Sequence, residues 1–99
     1  MNNIINKHIY KVIKWLEDPE SVSQEERDKN REEADSAFSD AANADYAAYG
    51  SVYYASYVAA IAAAAAENKP ESATKWVNKY FEVTGESKQD YLDAIEEDK

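Results

Sequence analysis

Near the start of the chain Ile5, Ile9, Val12 and Leu16 fall at i, i+4, i+7 and i+11, with Ile4, Ile13 and Trp15 widening the stripe. That period predicts an amphipathic helix over residues 3–17, closed by Asp18-Pro19. Ser23-Gln24-Glu25-Glu26 then has the form of a capping box, in which the serine hydroxyl and the glutamate carboxylate each satisfy the other's backbone N–H. From Gln24 to Glu67 nothing except Gly50 interrupts helix, and those 44 residues would make a rod of about 66 Å. A compact domain of 99 residues has a radius of gyration of only about 13 Å, so the rod must bend or find a partner. Ala34, Ala37, Phe38, Ala41 and Ala42 share one face, whereas Tyr46, Tyr49, Tyr53 and Tyr57 centre on a rotated one. A kink or short break is therefore expected at Tyr49–Ser51, dividing the segment into helices over 24–49 and 51–67. Continuous helix is the rival, since one glycine costs only about 1 kcal/mol in a helix interior. Pro70 opens a helix over 70–84 that buries Ala73, Trp76, Val77, Tyr80 and Phe81 and stops at Gly85. A last short helix over 88–96 buries Tyr91, Leu92, Ala94 and Ile95, with Glu96–Lys99 fraying beyond it. The expected fold is one all-α domain, residues 1–99, a small bundle of four to five helices around a long, kinked Ala/Tyr-rich helix.

Composition narrows the chemistry. With no cysteine, disulfides, thiol catalysis and thiolate metal sites are absent together, and an intracellular, cytoplasmic setting is the default. The net charge of −9 is unevenly spread. Residues 1–16 carry Lys7, Lys11 and Lys14 and no acid, while residues 17–50 hold eleven acids against Arg27, Lys29 and Arg31. Direct nucleic-acid binding, which needs lysine and arginine to neutralise phosphates, is disfavoured, and a basic partner surface is favoured. The lysines of the first helix are interleaved with isoleucines, unlike a secretory leader. Tyr46 to Ala66 is 21 residues without a charge, yet its five tyrosines, Gly50, two serines and weakly apolar alanines fall short of a membrane span.

Four groups of residues are candidates for function. The tyrosines of the Ala/Tyr segment either form a core stripe or, at Tyr53, Tyr54 or Tyr57, lie in an interface. Tyr53 and Tyr54 are about 100° apart on the wheel, so both cannot face one shallow core. Glu25, Asp28, Glu32 and Asp35 recur at i, i+3, i+7 and i+10, with Glu26, Glu33 and Asp40 at heptad spacing beside them. They make a broad acidic face, read either as solvated surface or as electrostatic recognition of a basic protein, including mimicry of phosphates. Arg27, Lys29 and Arg31 argue for the solvated reading, as they supply i,i+3 and i,i+4 partners to Asp28, Glu33 and Asp35. Asp45 falls in the apolar arc, where tyrosine hydroxyls or a lysine of the first helix would have to satisfy it. His8, the only histidine, reads as a boundary residue. No catalytic, cofactor or metal motif is present, so the chain is expected not to be an enzyme.

Ala55–Ala66, then Lys75-Trp76-Val77-Asn78-Lys79-Tyr80-Phe81-Glu82-Val83-Thr84-Gly85-Glu86 and Asp90-Tyr91-Leu92-Asp93-Ala94-Ile95, resemble small Ala/Tyr-rich accessory proteins of large tailed bacteriophages. The resemblance covers the C-terminal half and assigns no residue a role. It implies an accessory protein acting in the infected bacterial cytoplasm. With the acidic face, it leads to the expectation of a non-enzymatic protein that binds and inhibits or modulates a host or defence-system protein with a basic surface, an anti-defence or nucleic-acid-mimic inhibitor. The alternative is a structural homo-oligomer built by Ala/Tyr helix packing.

Overall fold

The computed structural model describes the backbone of residues 5–43 and 46–98 and the side chains of residues 5–43 and 54–98. The described chain is all-α, without strands. Helix α1 spans Lys7–Glu17, α2 Gln24–Ala42, α3 Tyr46–Ala65, α4 Pro70–Thr84 and α5 Lys88–Glu97, with a single 3-10 turn at Pro19–Ser21. The radius of gyration is 13.0 Å and the principal extents are 40 × 30 × 20 Å.

The first helix begins later than its apolar stripe. Asn6 is extended, and its side-chain oxygen accepts from the amides of His8 (2.9 Å) and Ile9 (3.1 Å), so a good N-cap residue outweighs the apolar Ile5 before it. Ser23 and Glu26 form the reciprocal capping box that opens α2.

The long rod is resolved by a hairpin, not by a kink at glycine. Helix α2 ends at Ala42, Asn43 caps it in the αR conformation, and a new helix has begun by Tyr46. Gly50, expected at a break over Tyr49–Ser51, lies inside α3. The alanines up to position 42 carry helix readily and then meet Asn43 and Asp45, residue types whose side chains compete with helical hydrogen bonding. Helix α3 returns antiparallel along α2, as the pairs Phe38 with Tyr57 and Arg31 with Glu67 require.

Doubling back gives α3 neighbours on most of its circumference. Val58, Ala59, Ala60, Ala62, Ala63 and Ala65 are buried, and Ala66 just beyond the helix with them, which leaves Tyr57, Ile61 and Ala64 as the outward stripe. Helices α2, α4 and α1 supply that cover. Helix α1 packs against all four others and puts Ile9, Val12, Ile13 and Trp15 into the core. Proline at the start of α4 and Gly85 at its end, with φ 74°, bound that helix. Helix α5 closes the bundle with Tyr91 and Ile95. Near its end, Asp98 accepts a hydrogen bond from Tyr10 of α1. Among the described residues no helix is long and apolar enough to cross a membrane.

Candidate functional site: the outer face of α2

Packing on α1 and α3 buries Asn30 and Ala34 and half-buries Arg27, Arg31, Ala37, Phe38 and Ala41. The opposite side of α2 faces solvent. Glu25, Glu32, Glu33, Asp35 and Asp40 are exposed there, with Asp28 half-buried at the α3 edge. The i, i+3, i+7 spacing therefore delivers one acidic surface running along the helix.

Of the three cations of α2, Arg27 and Arg31 lie on its inner half and take partners there, while their charges still act on Asp28. The guanidinium of Arg27 lies 5.2 Å above the Trp15 ring and donates to Val22 O at 2.9 Å and Gln24 Oε1 at 2.8 Å. Arg31 donates from Nε to Glu67 Oε1 at 2.9 Å, an ion pair with the turn after α3; that bond first, and then the charges of Glu67, Asp35 and Asp28, raise the affinity of the arginine for its proton. Lys29 is the one basic side chain of α2 left exposed. At the α3 edge, Gln24 donates to Asp28 at 2.9 Å and to Glu67 at 2.6 Å. The Gln24 bond first, and then nearby Arg31 and Arg27, hold the Asp28 carboxyl below its usual value.

An aromatic cluster borders the same edge. Tyr57 packs on Phe38 with ring centroids 5.5 Å apart, and Tyr54 stacks on Tyr57 at 6.2 Å. Both tyrosines are about two-fifths exposed, at 42% and 41%. Of the residues expected at a partner surface, the structure thus gathers Glu25, Asp28, Glu32, Glu33, Asp35 and Asp40 on one face and sets Tyr54 and Tyr57 beside it. The Tyr53 side chain and Asp45 lie outside the described residues.

The other edge of the face is a groove between α1 and α2, lined by Lys7, His8, Glu32, Glu33, Ser36, Ala37 and Asp40. His8 is buried, at 7% exposure, where the sequence places it at a boundary. Its partner is Asn30, also buried: Asn30 Nδ2 donates to the His8 carbonyl oxygen at 3.2 Å, and His8 Nδ1 lies 3.2 Å from Asn30 Oδ1. This pair escaped the sequence reading, although an asparagine in the arc set by Arg27, Ala34, Ala37 and Ala41 was the available sign. A second buried polar cluster joins α4, α5 and the start of α1. Glu86 accepts from Tyr91 at 2.5 Å and from Tyr80 at 2.9 Å, and Tyr91 accepts from the Asn6 amide at 2.9 Å. Each polar atom of that chain is used internally, so it clamps the helix ends together. Among the described residues no cluster of three or more ligating side chains could hold a metal ion.

Compared with protein-family models, curated proteins and solved structures, the chain matches none of them.

Proposed function

We propose that this chain is a non-enzymatic binding protein that docks the acidic outer face of α2 on a basic surface of another protein. In the setting the phage resemblance implies, that partner is a host or defence-system protein whose activity the chain inhibits or modulates, in the manner of a nucleic-acid mimic where the occupied surface is one that binds phosphates. The observation that carries this reading is the row of exposed acids Glu25, Glu32, Glu33, Asp35 and Asp40 along one side of α2, with Lys29 the one exposed cation of the helix. Arg27 and Arg31 sit on the inner half of the helix, with Trp15, Val22 and Glu67 as partners. Capture from bacterial lysate on immobilised chain, compared with the charge-reversed variant Glu25→Lys/Glu32→Lys/Glu33→Lys, tests it. A partner held by the native chain should be lost by the variant and released by salt. Equal capture by both overturns the acidic-face reading.

A homo-oligomer is the second reading, favoured by the exposed stacked pair Tyr54 and Tyr57 on a helix without a charge from residue 46 to residue 66. Light scattering on Tyr54→Ser/Tyr57→Ser beside the native chain separates the two. A native chain that stays monomeric at high concentration removes this reading.

A further inference from the structure

Helices α2 and α4 flank α3, and α1 packs on all three from one side. The other side of that layer is open. Along it α3 presents Tyr54, Tyr57, Ile61 and Ala64, the positions between its buried ones, at i, i+3, i+7 and i+10. That is the spacing of a seam between two packed helices, on a helix that carries no charge.

The two borders of the open side carry opposite charge. On α2 the flank toward α1 holds Glu33, Ser36 and Asp40, so Phe38, Arg31 and Asp35 stand on the flank toward the open side, where Phe38 packs on Tyr57 and Arg31 pairs with Glu67. Asp35 is exposed and makes no ion pair of 4 Å or less among the described residues. On α4, Thr74 and Val77 line a groove with α1, and Phe81 meets Tyr91 of α5, so the opposite flank brings Trp76 to the open side. Lys75 Nζ lies 5.9 Å from the Trp76 ring and likewise has no acid within 4 Å among the described residues. The pairs Phe38 with Tyr57 and Arg31 with Glu67 fix the height of α2 along α3, and the short turn from Ala65 to Pro70 fixes that of α4. At about 1.5 Å per residue, Asp35 and Lys75 both stand within a turn of Ile61, on opposite sides of the seam.

We propose that a second copy of this chain covers the open side, with the two α3 helices parallel about a two-fold axis running along the seam, an inference that rests on the homo-oligomer reading. Such an axis exchanges the borders: α2 of each copy faces α4 of the other, Asp35 meets Lys75 twice, and Tyr57 and Ile61 meet their own equivalents. A two-fold across the helices would instead set Asp35 against Asp35 and Lys75 against Lys75, which like charges oppose. Glu25, Glu32, Glu33 and Asp40 lie away from the contact, so each copy keeps its acidic face exposed.

Sedimentation equilibrium on the full chain tests the arrangement. The native chain should dimerise, and Asp35→Lys and Lys75→Glu, both at exposed positions, should each weaken the dimer about tenfold. Mixing the two variants in equal amounts should restore native association, because every Asp35–Lys75 contact across the mixed dimer then joins opposite signs; that recovery also shows that both variants are folded. A dimer indifferent to the two substitutions, or a loss that mixing does not repair, would overturn the parallel arrangement and leave the homo-oligomer reading standing. A native chain that stays monomeric at high concentration would overturn both.

Discussion

The Tyr91 hydroxyl donates to Glu86 Oε1 at 2.5 Å while it accepts the Asn6 amide at 2.9 Å, so one buried phenol ties the end of the α4–α5 turn to the N-cap of α1. Tyr91→Phe keeps the ring, which meets Phe81 edge-on at 5.1 Å, and removes both bonds. It leaves a carboxylate oxygen and an amide unsatisfied in a partly buried site, and should cost about 2 kcal/mol of unfolding free energy. Tyr80→Phe removes one bond to the same carboxylate and should cost less. Urea unfolding of the two variants checks the order.

These phenols also set the alkaline limit of the fold. Burial first, and then the Glu86 carboxylate, push Tyr80 up from 10.0 to about 12. Tyr91 is raised further, again by burial and then by Glu86. A raised phenol favours the folded state in its neutral form, so its contribution is fully present below the unfolded value near 10 and is lost as pH climbs toward 12. Stability should be flat from pH 8 to 10 and fall between 10 and 12. Tyr80→Phe/Tyr91→Phe, less stable at pH 8, should show a shallower fall when its urea midpoint is followed over the same range.

Gly85 ends α4 at φ 74°, ψ 6°, in the left-handed region, and nothing lies within 4 Å of where a Cβ would stand. The cost of Gly85→Ala is therefore backbone strain without a clash, about 1 kcal/mol by thermal unfolding. Ser23→Ala, which takes the serine out of the α2 capping box, should cost a similar amount, about 1 kcal/mol.

Both of those positions were readable from local chemistry, as were the amphipathic period of α1 and the proline that opens α4, because each is decided within one helical turn. The hairpin was not readable in the same way. The rotation of the apolar stripe pointed to Gly50, but a rotated stripe marks a change of neighbours, and the chain makes that change by turning back after Asn43. In the site, spacing alone put the acids of α2 on one side. The positions of the arginines depended on tertiary partners that sequence neighbours do not reveal: the ring of Trp15 and the Val22 carbonyl for Arg27, and Glu67, 36 residues away, for Arg31. His8 and Asn30 were likewise hidden, since each is a polar residue that becomes tolerable in the interior only because the other is there.

The arginines and Lys29 therefore make an asymmetric prediction about charge. Lys29 falls on the wheel among the exposed acids, whereas Arg27 falls on the buried side and Arg31 at its edge, and of the three only Lys29 is exposed. Lys29→Gln should strengthen binding of a basic probe such as hexa-arginine by a few-fold and steepen its salt dependence, because it removes a repulsive charge from the proposed docking surface and breaks no ion pair of 4 Å or less among the described residues. Arg27→Met should act through the fold. It gives up the stacking on Trp15 and the bond to Val22 O, so it should lower stability by about 1–2 kcal/mol and leave probe affinity nearly unchanged. Titration calorimetry with the probe and urea unfolding, run on both variants, separate the two effects. If Arg27→Met strengthened binding as much as Lys29→Gln, the arginine would be acting on the face as a charge, and Lys29 could no longer be treated as the one cation that opposes docking there.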